Sequence, residues 1–383
     1  MGNEVKSRWM KSRRKESGNT NQYAVSWFDP LQLKKHKIRR SLLAWFKKNA
    51  RDLPWRKTRD AYRIWISEIM LQQTRVEAVV PYFQRFVAAF PTVKELANAK
   101  EDHVLKLWEG LGYYSRARNL RKAAKKIVGD HAGVFPRTLA EIQSLPGVGR
   151  YTAGAIASIA FGARAPVVDG NVKRVLARVF CMEDSIDAAS TTAAMWELAE
   201  QLVPPGNPGD FNQALMELGA RICAPKNPRC EQCPIAAICE ARTKGMQGDL
   251  PIRRRKNRIP HYHIVAAAIR KNGRYLLGKR PPHSMLGGMW EFPGGKIEAG
   301  ETHEQALKRE LREELGVEIL VKSHLISVDH AYSHFSITLH VYLCEHIDGI
   351  PRTHYHTDLK WVFRSQFDRY PMPAADLKFL HLL

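Results

Sequence analysis

Four cysteines, Cys223, Cys230, Cys233 and Cys239, fall within seventeen residues in the spacing C-x6-C-x2-C-x5-C. Thiols gathered this tightly bind a metal or a cluster, or form disulfides, and each option fixes the path of the chain around them. The other cysteines, Cys181 and Cys344, are distant in sequence. The N-terminus is polar and basic, without the apolar segment of a signal peptide, so a reducing compartment is expected and disulfides are disfavoured. Zinc sites usually show two separated C-x2-C pairs. Here one such pair is flanked by single cysteines, and Pro234 follows Cys233. That compact run is more typical of a [4Fe–4S] cluster, with zinc as the alternative.

The chain is long enough, at 383 residues, for two or three domains with their own cores. No run approaches the roughly 20 apolar residues that a membrane helix needs, so no membrane partner is expected. A formal charge of +22 suits a polyanion, most simply nucleic acid. Residues 1–25 read as a disordered basic arm. From about Leu31 the pattern is helical, with Ile38, Leu42, Trp45 and Phe46 on one face. It continues so through a helical domain spanning 26–245. Residues 246–262 hold Pro251, Pro260 and the run Arg253-Arg254-Arg255-Lys256, and read as a basic linker. The period then changes to two across 263–383. His263–Arg270 and Arg274–Lys279 flank Asn272-Gly273, a hairpin signal, and Ile337, Leu339, Val341 and Leu343 mark another strand. The expected architecture is therefore multidomain, an all-α part joined to an α+β part.

Within the helical part, Thr138-Leu139-Ala140-Glu141 is a capping box. Its helix stops at Leu145-Pro146-Gly147-Val148-Gly149, and a second helix is predicted from about Arg150 to Phe161. Such a helix-hairpin-helix lets the backbone at Gly147 and Gly149 approach a phosphate, with the positive end of the second helix behind it. Asp169, in Val167-Val168-Asp169-Gly170-Asn171-Val172, stands between an apolar run and a new helix, and by itself reads as a helix cap.

A helix-hairpin-helix, then Val-Asp-Gly-Asn, then four cysteines, in this order, resembles the endonuclease III superfamily of DNA glycosylases, and within it the adenine-excising branch. The resemblance covers about residues 30–245. It includes Leu53-Pro54-Trp55-Arg56, the stretch from Trp65 to Thr74 with Glu68 and Gln73, and Trp108-Glu109-Gly110-Leu111-Gly112-Tyr113-Tyr114. It implies base excision repair of double-stranded DNA: removal of adenine mispaired with 8-oxoguanine, by a monomer in the cytoplasm, nucleoid-associated if the source is bacterial. Bifunctional relatives carry a lysine where this chain has Tyr151. A phenol forms no imine, so lyase chemistry is expected to be absent or weak.

Adenine is a poor leaving group and must be protonated, a role the resemblance assigns to Glu68. Asp169 would stabilise the resulting sugar cation, as the second carboxylate does in glycosidases. The resemblance further implies that Tyr151 and Asn171 orient Asp169, that Arg56 supports the site, and that Gln73 and Tyr113 wedge into the stack or contact the opposite base. The bland alternatives are a helix-surface glutamine and a core tyrosine.

In the second part, Gly295-x5-Glu301-x7-Arg309-Glu310-Leu311-x-Glu313-Glu314-x-Gly316-Val317 satisfies the Nudix box. Glu310, Glu313 and Glu314, at i, i+3 and i+4, share one side of a helix and suit Mg²⁺. The Nudix-like domains of adenine-excising relatives usually carry a degraded box and serve to recognise 8-oxoguanine, so the intact box is a departure. It raises the alternative of an added nucleotide pyrophosphohydrolase. The relatives' recognition loop corresponds to Tyr332, Ser333 and His334, with Tyr332 in place of the more usual phenylalanine. Asp376 sits where related pyrophosphohydrolases have asparagine.

Overall fold

The computed structural model describes residues 30–254, 259–332 and 334–383. The basic arm expected at 1–25, Arg255 and Lys256 of the basic run, and Ser333 lie outside the described residues.

The first half is helical: α1 (Pro30–Asn49), α2 (Ala61–Met70), α3 (Val76–Ala89), α4 (Val93–Asn98), α5 (Glu101–Trp108), α6 (Ser115–His131), α7 (Leu139–Gln143), α8 (Arg150–Phe161), α9 (Gly170–Val179), α10 (Ala189–Leu202), α11 (Pro208–Arg221) and α12 (Glu240–Thr243). Two cores form. One gathers around Trp65, Phe86 and Trp108, the other around Ile38, Leu42, Leu176 and Leu218. Helix α8 joins them, giving Ala153 and Ile156 to the first and Ala155 to the second. The side chains of this helix thus face two bodies, and the site lies where those bodies meet.

The helix-hairpin-helix forms as its sequence requires. Thr138 and Glu141 close the capping box on α7, and Gly147 turns the chain at φ +76°. A Cβ on Gly147 would sit 2.7 Å from Asn119 Cβ, so bulk and conformation both demand glycine there. Gly149 caps α8 with nothing within 4 Å of a built Cβ, leaving its backbone open to an approaching group.

The second half is a six-stranded mixed sheet: β1 (His261–Lys271), β2 (Arg274–Lys279), β3 (Trp290–Glu291), β4 (Glu318–Ala331), β5 (Ser336–Asp348) and β6 (Asp358–Phe363), ordered β3-β2-β1-β5-β4 with β6 on β2. Asn272 and Gly273 take φ of +50° and +73°, the left-handed pair a two-residue hairpin needs. Strand β1 pairs parallel with β5 and is buried without a break from Val265 to Ile269. Helix α13 (His303–Leu315) covers one face through Leu307 and Leu311. The other face packs on Trp290, Phe292 and Phe379. A strand covered on both faces loses its polar alternation.

The halves meet along α5. Asp102 accepts from Lys279 Nζ at 2.6 Å and Trp290 Nε1 at 3.3 Å, and Glu109 accepts the Met372 N–H at 2.8 Å. The His334 ring lies edge-on to Tyr113 at 6.4 Å.

Candidate active site

Glu68 projects from the C-terminal half of α2 and is 5% exposed. Burial pushes its carboxyl up to about 7. The Tyr151 hydroxyl donates to Glu68 Oε2 at 2.7 Å and opposes that shift, the charge of Asp169 adds to it, and Arg56 opposes it again. The two carboxylates are therefore close enough to sense one another.

Asp169 is the N-cap of α9: its Oδ1 accepts the Val172 N–H at 2.7 Å. Asn171 Nδ2 donates to Oδ2 at 3.0 Å. Burial raises the pKa of Asp169, and these donors and the Arg174 charge work against the rise. Capping and a chemical role are compatible here, because the cap holds one oxygen and the asparagine the other.

The resemblance implied that Tyr151 orients Asp169. Its hydroxyl instead bonds Glu68 on α2 and lies 3.3 Å from Met216 Sδ on α11, because from the first turn of α8 the phenol reaches those helices. Asn171 does meet Asp169. Arg56 touches neither carboxylate within hydrogen-bond distance. Its Nη2 binds Glu217 Oε2 at 2.9 Å, and Arg51 Nε binds Glu217 Oε1 at 2.7 Å. Burial alone would raise Glu217, 1% exposed, but the two guanidinium partners hold it down to about 2. This fixed anion seats Arg56 beside Glu68.

Two further residues escaped sequence reasoning. Arg174 donates to Asn171 Oδ1 at 2.8 Å, to the Gly219 carbonyl at 2.7 Å and to the Cys223 carbonyl at 2.7 Å. Gly219 makes this possible, since a Cβ there would lie 2.6 Å from Asn171 Cβ. Arg178, 1% exposed, donates to Cys223 Sγ at 3.2 Å and to the carbonyls of Ala224, Pro225 and Leu250. Positions 171, 174 and 178 recur at i, i+3 and i+7, so one face of α9 was legible as a row of polar groups.

Cys223, Cys230, Cys233 and Cys239 line one cavity with Leu218, Ile222 and Ile235. Burial pushes Cys230, Cys233 and Cys239 up, Cys233 to about 11. Among the described residues no three His, Cys, Asp or Glu side chains are grouped as one metal ion would require.

Gln73 lies exposed in the turn after α2, not on a helix surface. Tyr113 lies in the turn before α6. On the sheet, Tyr332 stacks on Phe335 at 4.7 Å and 18°. Asp376, 6% exposed, is pushed up to about 8, chiefly by burial and then by Glu291.

The three glutamates of α13 do not assemble as their spacing predicted. Arg309 draws Glu310 at 3.1 Å and Glu313 at 3.5 Å, and its Nε pairs with Glu301 at 2.7 Å. Glu313 is 62% exposed. Glu314 turns inward, where burial and then the charges of Glu291 and Glu310 push it up to about 8. Its Oε2 has no hydrogen-bond partner, nor does Nδ1 of the fully buried His356, 4.0 Å away.

Comparison with known proteins places this geometry. Residues 66–201 match the HhH-GPD superfamily base excision DNA repair protein family, and residues 264–382 match the NUDIX domain. The chain is 39% identical over 359 residues to the adenine DNA glycosylase of Rattus norvegicus, covering 80% of this chain and 70% of that protein. It is 32% identical to the adenine DNA glycosylase of Schizosaccharomyces pombe over 91% of this chain and 89% of that one. The chain belongs to the adenine DNA glycosylase family. A solved thermostable thymine-DNA glycosylase, 35% identical, superposes with a TM-score of 0.53 over 56% of this chain and 100% of its own. Among the described residues no helix of this glycosylase is long and apolar enough to cross a membrane.

Proposed function

We propose that this chain is a monofunctional glycosylase that removes adenine paired with 8-oxoguanine, or with guanine, from duplex DNA, with Glu68 as the acid and Asp169 as the anion. The observation that carries this reading is Glu68 itself, a buried carboxyl raised to about 7 with a phenol donating to it. At neutral pH a large share of it holds a proton. The target nucleotide is extruded from the stack. Glu68 passes its proton to a ring nitrogen of adenine as the N-glycosidic bond breaks, and the bonding electrons leave with the base. The sugar cation forms beside Asp169, whose anion is favoured by the Val172 N–H and Asn171. Water adds at the sugar carbon and returns its proton to Glu68. Tyr151 holds Glu68 in place and supplies no amine, so no strand-cleaving imine forms.

Asp169→Asn is expected to bind the A:8-oxoguanine duplex and to lose adenine release by about a thousandfold or more. Full release by that variant would overturn the assignment. Release from A:8-oxoguanine no faster than from A:G would remove the lesion from the reading.

We read the cysteine cavity as the place of a [4Fe–4S] cluster, the group that the compact spacing of Cys223, Cys230, Cys233 and Cys239 suits. The fully buried Arg178 has carbonyls and a cysteine sulfur for partners, and an anionic cluster would compensate its charge. A bound cluster would supply loop rigidity, presenting the exposed Lys226 and Arg229 to phosphate.

A second reading, nucleotide diphosphate hydrolysis by the NUDIX domain, is favoured by the orphaned Glu314 Oε2. Glu310 and Glu314 would hold Mg²⁺, which would orient the diphosphate. Mg²⁺ is expected to raise the melting temperature of the full chain, and Glu314→Gln to abolish the rise. No shift and no phosphate release from any nucleotide would sink this reading.

A further inference from the structure

Among the described residues of the helical half, five non-glycine residues have positive φ, Gln73, Tyr113, Ala132, Cys181 and Asn227, and the first two lie in neighbouring turns. Gln73 has φ +58° and Tyr113 has φ +48°. A Cβ disfavours that conformation, so something else must impose it.

One side chain reaches both turns. Arg116, on α6 and 9% exposed, donates through Nη1 to the carbonyls of Ile69 (2.8 Å), Met70 (3.0 Å) and Gln72 (2.7 Å). Through Nη2 it donates to the carbonyls of Leu111 (3.1 Å) and Gly112 (3.1 Å) and to Thr74 Oγ1 (3.4 Å). The carbonyls of Gln72 and Gly112 matter most. The carbonyl carbon of one residue is an end atom of the next residue's φ torsion. Fixing the Gln72 and Gly112 peptide planes therefore constrains φ at Gln73 and Tyr113 together. Ile69 and Met70 are the last residues of α2, whose carbonyls lack helical partners and carry the negative end of its dipole. Trp108 Nε1 gives the Gly112 carbonyl a second donor at 3.1 Å. The guanidinium carbon stands 5.5 Å from the centre of the Tyr113 ring.

We propose that Arg116 is a positioning residue for base extrusion, clamping both turns so that Gln73 and Tyr113 are presented to the duplex as one wedge. This rests on the reading that those two side chains enter or border the base stack. Lysine could not replace the arginine, because one ammonium offers no planar fork to span two turns.

Arg116→Lys, in the full chain with its cluster, keeps the charge and removes the fork. Extrusion is read by fluorescence of 2-aminopurine placed at the target adenine. Slowing by about ten- to a hundredfold is expected, with the cluster absorbance unchanged. The same substitution is then made in a Gln73→Ala/Tyr113→Ala background, where it is expected to cost nothing further. Equal losses in both backgrounds would overturn the proposal, because Arg116 would then act by another route. Should the double variant alone extrude normally, the wedge reading fails, and the clamp is judged by amide exchange at Gln73 and Tyr113. Faster exchange in Arg116→Lys supports it, and unchanged exchange overturns it. If Arg116→Lys does not fold, Trp108→Phe removes only the second donor to Gly112. Faster exchange at Tyr113 but not at Gln73 is then expected, and no change at Tyr113 would overturn the clamp.

Discussion

Glu68 and Glu314 are both glutamates pushed far above the ordinary carboxylate range, to about 7 and about 8, and burial is the first cause in each. Their surroundings differ. Glu68 receives the Tyr151 hydroxyl and has Arg56, itself seated on Glu217, at its back. Glu314 keeps one oxygen without a partner beside an equally unpartnered His356 nitrogen. The same desolvation thus produces a finished acid in one half and an unsatisfied acceptor in the other. A raised pKa alone does not tell a proton donor from a cation ligand; the completeness of the hydrogen bonding does.

The largest expected effect separates the two acids by function. Glu68→Gln cannot donate its proton, and single-turnover adenine release should fall by about a hundred- to ten-thousandfold. Glu314→Gln should leave release from A:8-oxoguanine within about twofold. A comparable loss in Glu314→Gln would erase the contrast and tie the sheet's acids to base removal.

Next in size is the anchor behind Glu68. Glu217→Ala leaves Arg51 and Arg56 facing a buried position without their carboxylate. Breaking such a pair costs about 3–5 kcal/mol, which denaturant titration would register as a lower midpoint. An unchanged midpoint would show that the two arginines find water instead. No sequence signal marked this residue, since a glutamate on an amphipathic helix ordinarily faces solvent. Legibility followed range. The capping box of α7 and the Asn272-Gly273 hairpin involve neighbours in sequence, and both formed as read. Glu68, Asp169 and Asn171 were named through resemblance, and the fold brings them together. The partner of Tyr151 was not legible, because which carboxylate a phenol meets depends on how α2, α8 and α11 pack. The glutamates of α13 share a helix side as their spacing required, but Arg309 divides them, and an ion pair's choice of partner is tertiary information. Arg116, Arg174 and Arg178 were missed because a basic residue reads as surface until its carbonyl partners are known.

The pH dependence is smaller and tests both acids at once. Each is raised above its unfolded value, so each favours the folded state below the unfolded pKa, and that contribution is lost as pH rises through about 7 for Glu68 and about 8 for Glu314. Adenine release should accordingly decline above about pH 7 as Glu68 loses its proton, and decline again in acid as Asp169, itself raised by burial, takes one up. Thermal stability should drop from about pH 4.5 to about pH 8, and Glu68→Gln should recover up to about 2–3 kcal/mol at the alkaline end while gaining little below about pH 4.5. A rate that rises through pH 7 would mean that Glu68 works as a base and not as an acid.

The smallest expected effect concerns Tyr332, which the resemblance placed in a loop that recognises 8-oxoguanine. Its ring stacks on Phe335 at 4.7 Å and meets His330 edge-on at 4.5 Å. Tyr332→Phe keeps both contacts, and burial already holds the phenol neutral by raising its pKa. If the ring acts by shape and stacking, the preference for 8-oxoguanine over guanine opposite adenine should change by less than about threefold, within the range of one aromatic contact. A loss of tenfold or more would assign the hydroxyl a direct hydrogen bond to the lesion, and the sheet would then read the damaged base by polarity where stacking alone had been expected.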